Sequence, residues 1–447
     1  MLKRTALWLA LVAVVGLLDL PPAARANPAE RTERIRPGQL DPTFAEDGRV
    51  TANLGAGEET AFTVCVQPDG KILVGGSMQN HAFIARYDAD GHPDPTWNDD
   101  GLAVAQIGTS EHIYDMLIQP DGAILAAGDV WTASGAQFLL LRYSPAGDLE
   151  QTITTDFSAS YDHGFALALQ PDGKIVMVGQ IDAGAEIGIA RYTSDLRPDA
   201  GFGSAGKVRL DLPGSQSALD VAIQPDGKLV LTGWTAGAAG TDILVARRLA
   251  DGRPDPAFGT GGSLTTALPS PPDLGFTSLG AALALQDDGA ILVTGSVPTD
   301  DAKAPSALVL VRYTAAGGLD SSFANAGILI TQIAKQSSTA NDIRRLPDGT
   351  IVVAGQVGFP VPDAMVAYFR PNGAPDPRFG TTGATLTDFG GEDAAMALAI
   401  QPDGKAIVVG RTTADDEDSL AIARYANLFT THLPRIAASP HGRARTP

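Results

Sequence analysis

Apolar residues in this chain gather into short aliphatic runs separated by tight polar turns, and one unit of run, turn and run recurs seven times. Its turn is Gln-Pro-Asp-Gly or a close variant, ending at Gly70, Gly122, Gly173, Gly227, Gly289, Gly349 and Gly404. Successive glycines are 52, 51, 54, 62, 60 and 55 residues apart. Phe165 to Leu169 precedes one copy and Lys174 to Val178 follows it; two short runs joined by a Pro-Asp-Gly turn predict a β-hairpin. After the second run come a glycine (Gly76, Gly128, Gly179, Gly233, Gly295, Gly355, Gly410) and a variable polar loop. A third run ends in Arg-Tyr or a relative, at Arg86-Tyr87, Arg142-Tyr143, Arg191-Tyr192, Arg247-Arg248, Arg312-Tyr313, Tyr368-Phe369 and Arg424-Tyr425. The next turn, Gly91 to Trp97 and again Gly252 to Phe258 and Gly373 to Phe379, leads through a glycine into a fourth run such as Lys207 to Leu210.

Four strands per unit and seven units predict an all-β fold, a seven-bladed β-propeller with four antiparallel strands per blade. An open solenoid is the rival, and the chain ends choose between them. The last unit stops after its third run at Arg424-Tyr425, while an orphan Asp-Pro-x-Phe turn (Gly38 to Phe44) and fourth run (Gly48 to Leu54) stand alone at the start. An N-terminal strand that completes the last blade closes the ring and leaves no unpaired edge. The order of motifs resembles the delta-60 repeat family, whose unit carries the Gln-Pro-Asp-Gly-Lys core, the Arg-Tyr pair and the Asp-x-x-Phe-Gly turn. The resemblance spans about residues 38 to 425. It implies a secreted bacterial propeller-like repeat protein and implies no activity. The chain departs from the pattern at Gln286 to Gly289, Arg345 to Asp348 and Glu150 to Ile153.

Composition fits turn-rich order. The 447 residues include 50 Gly and 31 Pro, below the share that marks low-complexity chains. A net charge of −19 excludes nucleic acid as a partner, because phosphate binding needs clustered Lys and Arg. The single cysteine, Cys65, permits neither an internal disulfide nor a cysteine zinc cage. Residues 1–26 read as a secretory signal: Lys3 and Arg4, an apolar stretch from Ala6 to Leu18, then Ala24-Arg25-Ala26, with cleavage expected after Ala26. That stretch is shorter than a membrane span, so no membrane insertion is expected. The expected organisation is a signal (1–26), a linker (27–37), one propeller (38–425) and a disordered tail (426–447), secreted or periplasmic and monomeric.

Residues that recur in every blade read as structural. The hairpin glycine supplies a positive φ. The Asp of Gly-x-x-Asp (Asp41, Asp94, Asp199, Asp255, Asp320, Asp376) caps the turn behind it, and the recurrent third-strand Arg pairs with it. Cys65 fills a slot occupied elsewhere by Ala168, Ala222, Ala284 and Ala399, which predicts a buried small residue with no redox role. Asp88, Asp90 and Asp94 offer oxygens at the short spacing calcium needs, but only the first blade has the set, so a plain turn is the stronger reading.

The hairpin and Asp-Pro-x-Phe turns are constant while the other loops vary, so variation falls on one face of the disc, where specificity is usually placed. Eleven residues before each hairpin glycine stand Glu59, Glu111, Asp162, Gln216, Ser278, Ser338 and Asp393. Four of these are acids in consecutive blades, predicting an acidic crescent at one channel mouth against the plainer reading of a solvated rim. His112 and His163 follow two of the acids, and Glu111-His112 with Asp162-His163 suggest a site for a divalent metal or a cationic ligand. Trp131 and Trp234 begin variable loops on that face and suit stacking on a sugar or peptide. There is no Gly-x-Ser-x-Gly elbow, no His-Glu-x-x-His and no phosphate loop. The expectation is therefore a non-catalytic binding or interaction scaffold for a protein, peptide or glycan, with no firm cofactor and calcium or another divalent metal as an option. The alternative is a metal-assisted hydrolase or lyase acting on a glycan or peptide at the acidic mouth.

Overall fold

The computed structural model describes residues 36–426 apart from 56, 238–239, 270–278, 381 and 415–416. Residues 1–26, expected to be an export signal, the expected linker up to residue 35, the expected tail from 427 and Ser278 lie outside the described residues. The described chain forms seven four-stranded antiparallel sheets, the propeller expected from the repeats. Blade one comprises Glu59–Val66, Ile72–Met78, His81–Tyr87 and Leu102–Ala105, and the pattern repeats through blade six. Blade seven takes three strands from Glu392–Ile400, Ala406–Ala414 and Glu417–Tyr425, and its fourth is Arg49–Ala52 from the other end of the chain. Arg49 pairs with Ala423 and Ala52 with Leu420, so the ring closes as the permuted ends predict.

The core is divided among the junctions. Each pair of neighbouring blades encloses its own apolar cluster, as where Leu117, Leu125 and Phe138 of blade two meet Leu167, Ile175 and Met177 of blade three. Seven such clusters run round the ring, so the middle strands are covered on both faces, which is why they read as continuous aliphatic runs.

The motif residues fasten most turns to their sheets and four blades to the next. The expected Arg-Asp pair forms as Arg86–Asp94, Arg191–Asp199, Arg247–Asp255, Arg312–Asp320 and Arg424–Asp41, with N···O separations of 2.7–2.9 Å. The other Asp oxygen caps its own turn, as in Asp255 accepting from Ala257 N at 3.0 Å. The guanidinium also lies over the turn's buried aromatic ring, Arg247 over Phe258 at 4.6 Å, and reaches the next blade, Arg247 Nη1 donating to Ala315 O at 2.5 Å. Blade six lacks the arginine, and there Tyr368 stacks on Phe379 at 3.6 Å. Blade two lacks the turn, and its Arg142 pairs with Asp121 and Glu150.

Every first strand carries a β-bulge, between Ala61/Thr63, Ile113/Asp115, Gly164/Ala166, Ala218/Asp220, Gly280/Ala282, Ala340/Asp342 and Ala395/Ala397. The seven skipped residues, Phe62, Tyr114, Phe165, Leu219, Ala281, Asn341 and Met396, all line one central cavity of about 680 Å³, so the first strands are innermost. The bulge explains the recurring second-strand glycine: a Cβ on Gly128 would sit 1.7 Å from His112 O, and one on Gly179 1.9 Å from His163 O. No side chain fits where the two backbones approach so closely.

Arg247 and Asp255 are 6% and 3% exposed, so Arg247→Ala strands a buried carboxylate and is expected to cost about 3–5 kcal/mol in urea unfolding. Arg253→Ala removes an exposed pair with Asp251 and is expected to cost under about 1 kcal/mol; equal losses would contradict this account of the blade ties. Asp41 gives a second check at the closing seam. Burial pushes its carboxyl up, but Lys405, Thr43 and Arg424 outweigh burial and hold it at about 2. With an unfolded value of about 3.9, its contribution is present above about pH 4 and is lost as pH falls through about 2. The stability gap between wild type and Asp41→Asn should therefore narrow below pH 4, and a gap that persists unchanged to pH 2 would exclude the ionised pair.

Candidate functional site

The acids singled out eleven residues before each hairpin are neither an exposed crescent nor a solvated rim. Glu59, Glu111, Asp162 and Asp393 are at most 1% exposed, as are Gln216 and Ser338 in the same slot. Each stands over the loop that enters its own blade, and most hold that loop directly. Glu111 Oε1 accepts from Ile107 N at 2.8 Å and from Gly108 N, Asp162 Oδ2 from Phe157 N at 2.7 Å, Asp393 Oδ2 from Phe389 N at 2.6 Å and Ser338 Oγ from Ile333 N at 2.9 Å. Gln216 Nε2 instead donates to Leu212 O at 2.9 Å. Glu59 lies near Leu54 and Gly55 outside hydrogen-bond geometry, and burial pushes its carboxyl up. The physical reason is backbone accounting: loop amides turned inward between blades need partners, and Asp, Glu, Gln and Ser all supply one.

The two histidines do come together, through a residue the sequence reading missed. Asp129, on the second strand of blade two (Ile124–Thr132), is fully buried. Its Oδ1 lies 2.7 Å from His112 Nδ1 in the same blade, and its Oδ2 lies 2.5 Å from His163 Nδ1 in blade three. Burial pushes the Asp129 carboxyl up, but the hydrogen bonds and charges of His112 and His163 outweigh it and hold the group below the usual range. Both imidazole side chains remain partly exposed, 23% and 16%. Neighbouring residues on a strand face opposite ways, so Glu111 turns from His112 toward blade one, where its Oε2 meets His81 Nδ1 at 2.9 Å. The joint Glu111-His112 and Asp162-His163 metal site is therefore not formed.

Aromatic rings frame the pair. Trp131 packs on His163 and Tyr161 with centroids 5.6 and 5.1 Å apart, and Tyr161 is 47% exposed. His112 stacks over Tyr114 and His163 over Phe165. Tyr114 and Phe165 also line the central cavity, so the pair sits above the channel wall. The cavity itself runs from the bulge residues toward the Gln-Pro turns, away from the variable loops. Trp131 and Trp234 belong to second strands that continue through Thr132 and Gly237, where loops were expected to begin; Trp234 lies half-buried in blade four.

Asp88, Asp90 and Asp94 do not converge. Asp88 Oδ1 caps its own turn, accepting from Asp90 N and His92 N at 2.9 Å, while Asp94 is taken by Lys71 and Arg86 at 2.8 and 2.9 Å. Cys65 is buried as expected, its Sγ 3.1 Å from Met116 O, with the thiol pushed far up by burial.

A family model described as a domain of unknown function (DUF5122) beta-propeller matches residues 67–96, 119–152, 170–202, 224–258 and 346–379. Five of the repeats are thus similar to those of a β-propeller repeat family. No curated protein matches the chain. Similar solved structures include virginiamycin B lyase from Staphylococcus aureus, 12% identical over 84% of this chain and 98% of that one, with a TM-score of 0.49. Polysaccharide lyase Uly1 is 10% identical over 88% and 98%, TM-score 0.46, and a glucose dehydrogenase 12% identical over 68% and 96%, TM-score 0.41. These likenesses carry no argument about chemistry.

Removing the Asp129 carboxylate leaves two Nδ1–H groups and the Tyr114 hydroxyl without this acceptor. Asp129→Ala is expected to lower stability by about 1–3 kcal/mol and to move the ring NMR signals of His112 and His163 together while leaving exposed His92 in place. A response from one ring alone would show that the carboxylate does not couple them.

Proposed function

We propose that this protein is an exported, non-catalytic binding scaffold of delta-60-type repeats whose ligand site is the histidine and aromatic patch of blades two and three. The observation that carries the reading is Asp129 holding one histidine from each blade by Nδ1, which directs both Nε2 atoms away from the carboxylate. A neutral imidazole so fixed accepts at Nε2 and a protonated one donates there. Trp131 and half-exposed Tyr161 supply flat apolar surface at the patch, the combination that suits a sugar face or a peptide side chain beside a polar group. Export rests on the signal read in residues 1–26.

A second reading has its own support: a carboxylate that orients an imidazole is the base-and-orienter arrangement of acid-base enzymes. On that reading the same histidines move a proton in a hydrolase or lyase reaction on a glycan or peptide. A metal-assisted version is weaker, because the acids expected to hold the ion cap loops.

Probing glycan and peptide arrays with the purified protein separates the readings. The scaffold reading expects saturable binding that Trp131→Ala and His163→Ala weaken by about tenfold or more, consistent with loss of about 1.4 kcal/mol or more, with Trp234→Ala unchanged and no product formed. Turnover of a bound glycan or peptide, abolished by His112→Ala or His163→Ala, would replace it with the enzyme reading.

A further inference from the structure

Away from the histidine patch, blades six and seven bring three carboxylates together. Asp363 opens the third strand of blade six (Asp363–Phe369), Asp388 follows its fourth (Ala384–Thr387), and Asp393 lies on the first strand of blade seven (Glu392–Ile400). One ligand oxygen from each lies within 4.8 Å of the others, the separation of oxygens that share one calcium ion at about 2.4 Å. Asp393 is fully buried; its Oδ2 takes Phe389 N, while its Oδ1 has no hydrogen-bond partner, with Thr412 Oγ1 near but out of geometry. Burial pushes Asp363 and Asp393 up, and the charge of Asp388 adds to both.

Among the described residues no cation pairs with these three. Arg49 gives its Nη1 to the Asp388 backbone oxygen and its side-chain pair to Asp47, and Arg411 is taken by Asp418. Elsewhere the chain supplies a cation to such a group: in blade three, Arg209 meets Glu186 at 2.7 Å and Asp182 at 3.9 Å, with Asp162 also in its field. The buried oxygen without a donor is what separates the blade six and seven cluster from an ordinary acidic surface, because a buried carboxylate oxygen is normally hydrogen-bonded.

We propose that Asp363, Asp388 and Asp393 bind a divalent cation, calcium by the hardness and number of their oxygens, at the junction of blades six and seven. Asp393 anchors the ion from inside, and half-buried Asp363 and exposed Asp388 leave it a route from solvent. The ion would fasten the entry loop of blade seven to blade six. The site is independent of the histidine patch.

The test is calorimetric titration of the purified, chelator-treated protein with calcium chloride, with thermal unfolding measured in parallel. The expected result is one bound ion per chain, affinity in the range of about 10⁻⁴–10⁻³ M or tighter, and a rise in Tm with calcium. Asp363→Asn, at a half-buried position, should weaken binding by about tenfold or more and remove the rise in Tm, and Asp393→Asn should abolish both. Asp88→Asn should change neither. No binding at about 10 mM calcium, or binding untouched by Asp363→Asn in a variant that unfolds cooperatively, overturns the proposal.

Discussion

A four-stranded sheet with aliphatic residues on both faces can bury them here only against two sheets like itself, and that constraint shapes the whole molecule. Each blade supplies half of two apolar clusters, so a row of blades would always end in two bare faces; closure alone removes them. The permuted ends follow from this requirement, since a seam made by hydrogen-bonding Arg49–Ala52 onto Glu417–Tyr425 puts backbone pairing where the chain would otherwise merely meet itself. The arginine module crosses the same seam: Arg424 pairs with Asp41, lies over Phe44 and reaches Ala89 O in blade one. The closing junction is thus fastened as those of blades three to four, four to five and five to six are.

Polar ties supplement this packing at every second junction. Asp115, Asp220 and Asp342 each accept two backbone amides, one from the residue that follows in the same strand and one across the junction from Leu167, Leu283 or Leu398 at 2.8 Å, and Asp342 also pairs with Arg344. At the same three junctions Tyr192, Tyr313 and Tyr425 bond Thr155, Thr266 and Thr387 at 2.6–2.7 Å. These junctions join blades two to three, four to five and six to seven. Seven is odd, and among the described residues blade one shows no such tie on either side. The histidine patch straddles the two-to-three junction, and the proposed cation site the six-to-seven junction. Both candidate sites therefore stand on pairs of blades whose relative position is fixed by buried hydrogen bonds in addition to apolar packing.

The fold was legible in the sequence because its signals recur in order. The Pro-Asp-Gly hairpin, the third-strand arginine and the Asp-x-x-Phe turn each name a local geometry, and their recurrence in order turns weak local signals into a count of blades. The bulge was not legible: its residues range from Phe62 through Ala281 to Asn341 with no shared size or turn preference, and a one-residue register shift leaves no compositional trace, although the recurring glycine opposite it marked the place. The site was half legible. Counting from the hairpin put His112 and His163 at equivalent positions in adjacent blades, but counting also took acidity for exposure, and Gln216 and Ser338 in the same slot signalled a loop partner. Asp129 could have been found by the same method, because the residue after the second-strand glycine reads Ser77, Asp129, Gln180, Trp234, Ser296, Gln356 and Arg411, a single acid in seven.

That single acid shows how a uniform scaffold acquires chemistry. A fully buried carboxylate needs donors on both oxygens, and at Asp129 no lysine or arginine among the described residues supplies them; two imidazoles do, one on each oxygen, with the Tyr114 hydroxyl 3.4 Å from Oδ2. Meeting that need fixes both rings, so the geometry a ligand would use exists before the ligand arrives, and little ordering cost is left for binding. The glycines act on the same residues from the backbone side, since Gly128 and Gly179 allow the close approach that places His112 and His163 on their bulged strands. At Asp393 the same burial is met on one oxygen only. The two places differ in one respect, whether the protein itself completes the coordination of a buried carboxylate, and that difference is why one reads as a preorganised pair of imidazoles and the other as a seat for an ion.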